Sequence, residues 1–272
     1  MTRLVASLGM YDHPAQQGAN DRIWSAIVRI LRTCGVEEVP DVLDRARHVH
    51  DLWRDPNLLF GQACGYPLIA DDSLALQVIA LPIYAMSGST SGDAMHASVL
   101  VARANDGRRS LVDYRDTRAA INDPQSNTGM NLFRATLAPI AEMNVFFAGV
   151  VQTGSHRASV AAIAAGDADI AAIDAVTYAT LVRREPDLTA PFKIVARSPA
   201  SPTLPFVTSA ATSIETIAAL RRALQQVMTD SRLADDRAML GLTGIVTANA
   251  DALDPIRALE QTAIRFGYPD LR

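Results

Sequence analysis

The stretch Arg118-Ala119-Ala120-Ile121-Asn122-Asp123-Pro124-Gln125-Ser126-Asn127-Thr128-Gly129-Met130-Asn131 reads as a short apolar strand, 118–122, that runs through a hydroxyl-rich turn into a helix with apolar periodicity over 130–141. A strand feeding a helix in this way is the half-unit of an α/β sheet, so this stretch sets the fold class. It is also built as an anion cradle. The first N–H groups of a helix have no partner within the helix, the positive end of the helix dipole stands behind them, and Ser126 and Thr128 add two hydroxyl donors. Further on, Gly154-Ser155-His156-Arg157-Ala158-Ser159 repeats the arrangement, with another glycine, more hydroxyls and an imidazole at a second expected helix start. Two such turns in one lobe point to one ligand.

The chain of 272 residues, 49% hydrophobic, can bury a large core and fits one large domain or two lobes of ordinary size. A formal net charge of −4 with no cluster of Lys and Arg argues against a nucleic-acid surface and leaves a small ligand as the expected partner. No apolar run reaches ~18 residues, so no membrane insertion is expected. The first strand, 4–8, starts almost at Met1, and no charged n-region, apolar h-region or cleavage site is read as an export signal. Cys34 and Cys64 are the only cysteines and make neither a disulfide framework nor a C-x-x-C site. Cys34 closes a helix and is expected to be a buried structural thiol, Cys64 is expected in a loop, and a bridge between them stays open.

Strand-like runs fall at 4–8, 36–43, 58–62, 76–83, 98–103, 118–122, 145–152, 169–173 and 192–196. The clearest helical patterns fall at 21–34, 130–141, 159–165, 214–228, 233–240 and 254–266. Strands separated by helices imply parallel sheets with covered faces and a ligand beyond the carboxyl ends of the strands. A Gly/Ser run at 84–93 and a Pro/Ser run at 197–205 divide the chain in three. With 1–93 and 198–272 in one lobe and 94–197 in the other, these runs sit beside the two crossovers of a two-lobed clamp that closes at its hinges.

The motifs Asn122-Asp123-Pro124-Gln125-Ser126-Asn127-Thr128-Gly129, Gly154-Ser155-His156-Arg157-Ala158-Ser159 and Gly166-Asp167-Ala168-Asp169-Ile170-Ala171-Ala172-Ile173-Asp174 stand in a set order. Tyr11-Asp12 after the first strand and Gly61-Gln62-Ala63-Cys64-Gly65-Tyr66-Pro67 precede them. The series resembles that of the substrate-binding components of phosphate, phosphite and phosphonate ABC importers, over most of the chain and most specifically over 118–178. The resemblance implies a type II periplasmic-binding-protein fold of two α/β lobes joined by two hinge crossovers, a small phosphorus oxyanion in the cleft, no cofactor, and an ABC permease as partner if the chain is exported. It implies a monomer, a binding protein rather than an enzyme, and a periplasmic location. The missing export signal leaves a trimmed form or a cytoplasmic oxyanion sensor as alternatives.

The candidate ligand residues are Ser126, Asn127, Thr128, His156 and Asp174 in one lobe, with Tyr11 and Tyr66 from the other. Hydroxyls and helix-start N–H groups hold a tetrahedral oxyanion without a salt bridge, and an imidazole adds a donor that titrates near neutral pH. A carboxylate repels an anion unless it accepts a proton from it, so Asp174 would favour a protonated oxyanion; it is also placed to cap a helix starting near Ala175. Tyr11 and Tyr66 rest mainly on the resemblance. The residues after Asp174, and the 198–206 segment, lack the acid that an amine-bearing phosphonate calls for. A Ser–His–Asp hydrolase built from Ser126 or Ser155, His156 and Asp174 is the rival reading, weakened by the missing G-x-S-x-G elbow and by Ser155 adjoining His156. An effector domain of the same fold has no helix-turn-helix ahead of its first strand. His48-Val49-His50-Asp51 reads as a solvated segment, Gly88-Ser89-Thr90-Ser91-Gly92 lacks a P-loop lysine, Trp24 and Trp53 read as packing residues, and Arg32, Arg221 and Arg222 as solvated helix faces.

Overall fold

The strand Arg118–Ile121 lies inside a five-stranded sheet, flanked by parallel neighbours Gly149–Gln152 on one side and Ile170–Asp174 on the other. In this computed structural model, which describes residues 3–86, 93–141 and 145–272, the sheet continues from Ile170–Asp174 through Ser98–Arg103 to Phe192–Arg197, and both of these pairings are antiparallel. A second five-stranded sheet runs in the order Val5–Ser7, Leu58–Gln62, Phe206–Ser209, Leu76–Tyr84, Leu242–Thr247. Its first pair is parallel and the rest are antiparallel.

Both sheets are therefore mixed, where the alternation of strands and helices predicts parallel ones. Phe206–Ser209 enters between Leu58–Gln62 and Leu76–Tyr84 only after more than a hundred residues spent elsewhere, so no local strand–helix–strand crossover dictates its direction. Neither Phe206–Ser209 nor Leu242–Thr247 stands out in the sequence: the first is a short run behind Pro205, and the second carries Gly244 in its middle.

The chain forms two compact units. Residues up to Ala85 together with Pro202–Ala252 belong to the first, and Met95–Ser201 together with Leu253–Arg272 belong to the second. The run 197–205 includes the passage between Ser201 and Pro202, whereas residues 87–92 of the run 84–93 lie outside the described residues. Assigning all of 198–272 to the first lobe needs a correction. The helix Asp254–Arg265 belongs to the second unit and packs on Leu132–Leu137, where buried Arg134 donates to Glu260 Oε1 at 3.2 Å and to the Pro269 carbonyl at 2.6 Å.

The first unit's core joins Ile23, Trp24, Ile27 and Leu31 of the helix Gln17–Thr33 to Leu220, Ala223 and Leu224 of the helix Ile214–Thr229 and to Phe60 and Phe206 of the sheet. Trp24 stacks on Phe60, with centroids 5.6 Å apart. The second unit's core gathers Val99, Val101, Ala120, Ala171 and Ile173 beneath Val160 and Ile163 of the helix His156–Ala165.

The segment 36–43 is not a strand. Its Val39 and Leu43 are buried, but Glu38 adopts φ 55°, Pro40 brings no N–H, and the carbonyls of Val39 and Pro40 are taken by the Arg32 guanidinium (3.0 Å) and the Trp24 indole (3.0 Å). Side chains thus satisfy the backbone that a sheet would otherwise pair. Trp53, likewise buried, donates to the Gln62 carbonyl at 3.1 Å. Arg221, read as a solvated residue, instead donates to the Ile79 carbonyl at 3.2 Å. Cys34 is exposed rather than buried, Cys64 is buried at the start of the helix Gly65–Ala70, and the two form no disulfide. No helix among the described residues is long and apolar enough to cross a membrane.

Candidate functional site

Three side-by-side strands of the second unit, Gly149–Gln152, Arg118–Ile121 and Ile170–Asp174, end in three turns, and each turn starts a helix. From the central strand the chain first leaves to one side and then returns on the other. A parallel sheet opens a crevice at the carboxyl ends of its strands where connections diverge in this way.

The central turn delivers Ser126, Asn127 and Thr128, all buried, into the wide helical turn Asn127–Asn131 and on into the helix Leu132–Leu137. Ser126 caps that start: its Oγ accepts from Gly129 N at 2.9 Å, and its carbonyl accepts from Met130 N at 3.2 Å and Asn131 N at 3.0 Å. The bond to Asn131 spans five residues, which widens the first turn. Gly129 is required by what stands beside it, since a Cβ there would lie 1.7 Å from Asn122 Oδ1. That oxygen is buried and has no hydrogen-bond partner among the described residues. Asn127 is fixed through its side chain, donating to Ser201 Oγ at 2.7 Å and accepting from Asn131 Nδ2 at 3.0 Å.

The second turn is bonded directly to the first strand's end. Thr153 N donates to the Ile121 carbonyl and Gly154 N to the Asn122 carbonyl, each at 2.9 Å, with Gly154 at φ 86°, a left-handed conformation that suits glycine. Ser155 Oγ caps the following helix by accepting from Ala158 N at 3.1 Å. His156 is its first residue, and His156 Nε2 lies 3.0 Å from Thr128 Oγ1. One side-chain bond therefore joins the two hydroxyl-rich turns. Burial holds the His156 imidazole below its ordinary pKa of 6.5; the charge of Asp174 and the Ala172 backbone oppose this without reversing it. Neighbouring Arg157 is exposed and paired with Glu185 at 2.6 Å.

The third turn carries Asp174, 2% exposed, whose Oδ1 accepts from Thr177 N at 2.8 Å and so caps the helix Ala175–Arg184. Its Oδ2 lies 3.0 Å from Nδ1 of His96, a residue with 0% exposure. Burial pushes the Asp174 carboxyl up, but His96, the charge of His156 and the Thr177 N–H outweigh it, and the net shift is below the ordinary 3.8. Ser98, paired in register with Asp174, donates from Oγ to the Thr128 carbonyl at 2.7 Å.

Ser126, Asn127, Thr128, His156 and Asp174 thus fall in one connected cluster, to which the structure adds His96, Ser98 and Ser201. Ser98 is brought in by pairing across the sheet, and His96 and Ser201 by side-chain contacts with Asp174 and Asn127, so none of the three has a local signal. Neither Ser126 nor Ser155 bonds to His156: both hydroxyls serve as helix caps, and Thr128 is the hydroxyl partner. The cluster offers hydroxyls, an imidazole and helix starts, a donor set suited to an oxyanion. Among the described residues no group of three or more His, Cys, Asp or Glu could hold a metal ion.

In the first unit, Tyr11 ends the turn Gly9–Tyr11 after the strand Val5–Ser7 and meets Tyr84 edge-on, with centroids 5.2 Å apart. Tyr66 is buried in the helix Gly65–Ala70, after the strand Leu58–Gln62. Both follow carboxyl ends of neighbouring parallel strands.

The model of a family described as "ABC transporter, phosphonate, periplasmic substrate-binding protein" matches residues 58–253. The fold is similar to that of a binding-protein component of an ABC phosphonate transporter from Pseudomonas aeruginosa, with TM-score 0.76, 19% identity, and coverage of 98% of this chain and 88% of that one. It is also similar to PhnD1 from Prochlorococcus marinus in complex with methylphosphonate, with TM-score 0.71, 15% identity and coverage of 98% of each chain. The alkanesulfonate-binding protein SsuA from Xanthomonas axonopodis pv. citri bound to MOPS follows at TM-score 0.62 and 15% identity, covering 98% of this chain and 94% of that one. These likenesses establish a type II periplasmic-binding-protein fold. No curated protein matches the chain in sequence.

Proposed function

The chain belongs to the family of phosphonate-binding periplasmic substrate-binding proteins of ABC transporters, and on that footing we propose that it captures a small phosphorus oxyanion, phosphonate, phosphite or phosphate, and delivers it to an ABC permease from the periplasm. The observation that carries the reading is the Thr128–His156 bond, because it draws two helix starts and their hydroxyls together at the carboxyl ends of adjacent strands. Ser126, Asn127, Thr128 and His156 are the oxyanion donors. Asp174 is the acid that disfavours a fully ionised ligand. Tyr11 and Tyr66 are further candidate donors from the first unit. The segment after Asp174 runs Ala175, Val176, Thr177 without an acid, so a simple phosphonate, phosphite or phosphate suits the site better than an amine-bearing phosphonate.

Thermal unfolding in the presence of phosphate, phosphite, methylphosphonate and aminoethylphosphonate tests the proposal. A ligand at 100 times its dissociation constant stabilises by ~2.7 kcal/mol, which raises the midpoint by several degrees. One of the first three anions is expected to do so, and aminoethylphosphonate least. No shift with any of them would remove the proposal.

A further inference from the structure

His96 is fully buried beside the site, and among the described residues its Nε2 has no hydrogen-bond partner. Its Nδ1 stands 3.0 Å from Asp174 Oδ2. Buried polar atoms are almost always satisfied, so an orphaned one beside a binding cluster calls for a partner from outside the chain. At 3.0 Å only an N–H faces a carboxylate without repulsion between lone pairs, so Asp174 places a hydrogen on Nδ1 and, in the neutral ring, leaves a lone pair on Nε2. His96 and Ser98 are two residues apart on an extended run and share a face, and Ser98 Oγ is bonded to the Thr128 carbonyl.

We propose that His96 Nε2 is a ligand-recognition atom that accepts the hydroxyl proton of a monoprotonated phosphorus oxyanion, with Asp174 fixing the tautomer from behind. The inference rests on the proposed oxyanion function and moves the proton-reading role from the carboxylate to the imidazole. Asp174 already has Thr177 N on one oxygen and His96 on the other, and it acts as a positioning residue. A lone pair at Nε2 attracts P–O–H and repels an oxygen that carries no proton. Among the described residues, the charged or titratable groups that interact with His96 are Asp174, from the strand Ile170–Asp174, and His156, from the helix His156–Ala165. A sulfonate has the shape and single charge of a phosphonate monoanion but no hydroxyl, so the site discriminates against it.

Calorimetric titration with methylphosphonate and with methanesulfonate, at one pH, tests this in the wild-type protein, His96→Leu and His96→Gln. The wild type is expected to prefer methylphosphonate by about tenfold or more, the scale of one buried hydrogen bond. His96→Leu is expected to bring the two affinities together, and His96→Gln, whose amide oxygen still accepts, to keep part of the preference. A merely structural role for His96 would lower both affinities and leave their ratio intact, which overturns the inference. A second measurement needs no variant: the His96 Nε2 nitrogen resonance is expected to move on adding methylphosphonate and to stay on adding methanesulfonate. Equal movement with both, or none with either, overturns it as well. Failure of the wild type to bind methylphosphonate, phosphite or phosphate removes the proposed function and this inference together; binding with unchanged discrimination in His96→Leu removes this inference alone.

Discussion

Thr128 Oγ1 and His156 Nε2 lie 3.0 Å apart, so one hydrogen bond between side chains ties together two turns that leave neighbouring parallel strands. Thr128→Val keeps the shape and removes the hydroxyl. Oxyanion affinity is expected to fall about tenfold, and stability by ~1 kcal/mol, because the buried imidazole loses its partner. Calorimetry and urea unfolding read the two effects; unchanged affinity would separate this bond from ligand binding.

The contact of Gly129 with Asn122 makes a second prediction. A Cβ at 129 overlaps Asn122 Oδ1, so Gly129→Ala is expected to destabilise by ~1–3 kcal/mol through overpacking. Shortening the neighbour as well, in Gly129→Ala with Asn122→Ala, should recover much of that loss. A double-mutant cycle on unfolding free energies checks it, and strictly additive effects would contradict the geometry.

Stability should depend on pH with a predictable sign. Burial holds the folded His156 below 6.5, so as pH falls through 6.5 the unfolded chain takes up a proton that the folded chain resists, and stability drops. Asp174 is likewise held below 3.8, so its contribution is present above 3.8 and is lost as pH falls further. Both steps run the same way. His156→Gln is expected to remove only the upper one, seen as a flatter unfolding midpoint between about pH 8 and about pH 5 than in the wild type. Parallel profiles would contradict the assignment.

Arg134 links the C-terminal helix to the site helix by donating to Glu260, to the Pro269 carbonyl and, at 2.7 Å, to Asn131 Oδ1, which belongs to the chain of bonds through Asn127 to Ser201. Arg134→Met is expected to cost ~1–3 kcal/mol in urea unfolding, since it leaves buried acceptors without their donor. Glu260→Gln should cost less, because Glu260 is partly exposed and an amide still accepts.

The turn at Asn122–Asn131 was legible because its hydroxyls, its glycine and the apolar period after it are all local signals. The strands Leu58–Gln62 and Ser98–Arg103 match the sequence reading to the residue for the same reason, as continuous apolar runs. What stayed hidden depends on distant partners. Phe206–Ser209 becomes a strand because two others flank it, the segment 36–43 fails to become one because side chains satisfy its carbonyls, and residues 253–272 join the second unit through distant partners, Arg134 and the backbone N–H of Phe146 among them. His96 and Ser201 are invisible for the same cause: each reaches the cluster through a side-chain contact made across the fold, His96 with Asp174 and Ser201 with Asn127.

The most direct test of the central claim is a calorimetric titration of the protein with methylphosphonate, phosphite and phosphate, repeated in Ser126→Ala and Asp174→Ala. Saturable binding of at least one anion at one site per chain is expected, weakened by ~1–3 kcal/mol in each variant. Absence of binding in the wild type, or affinity unchanged in both variants, would contradict it.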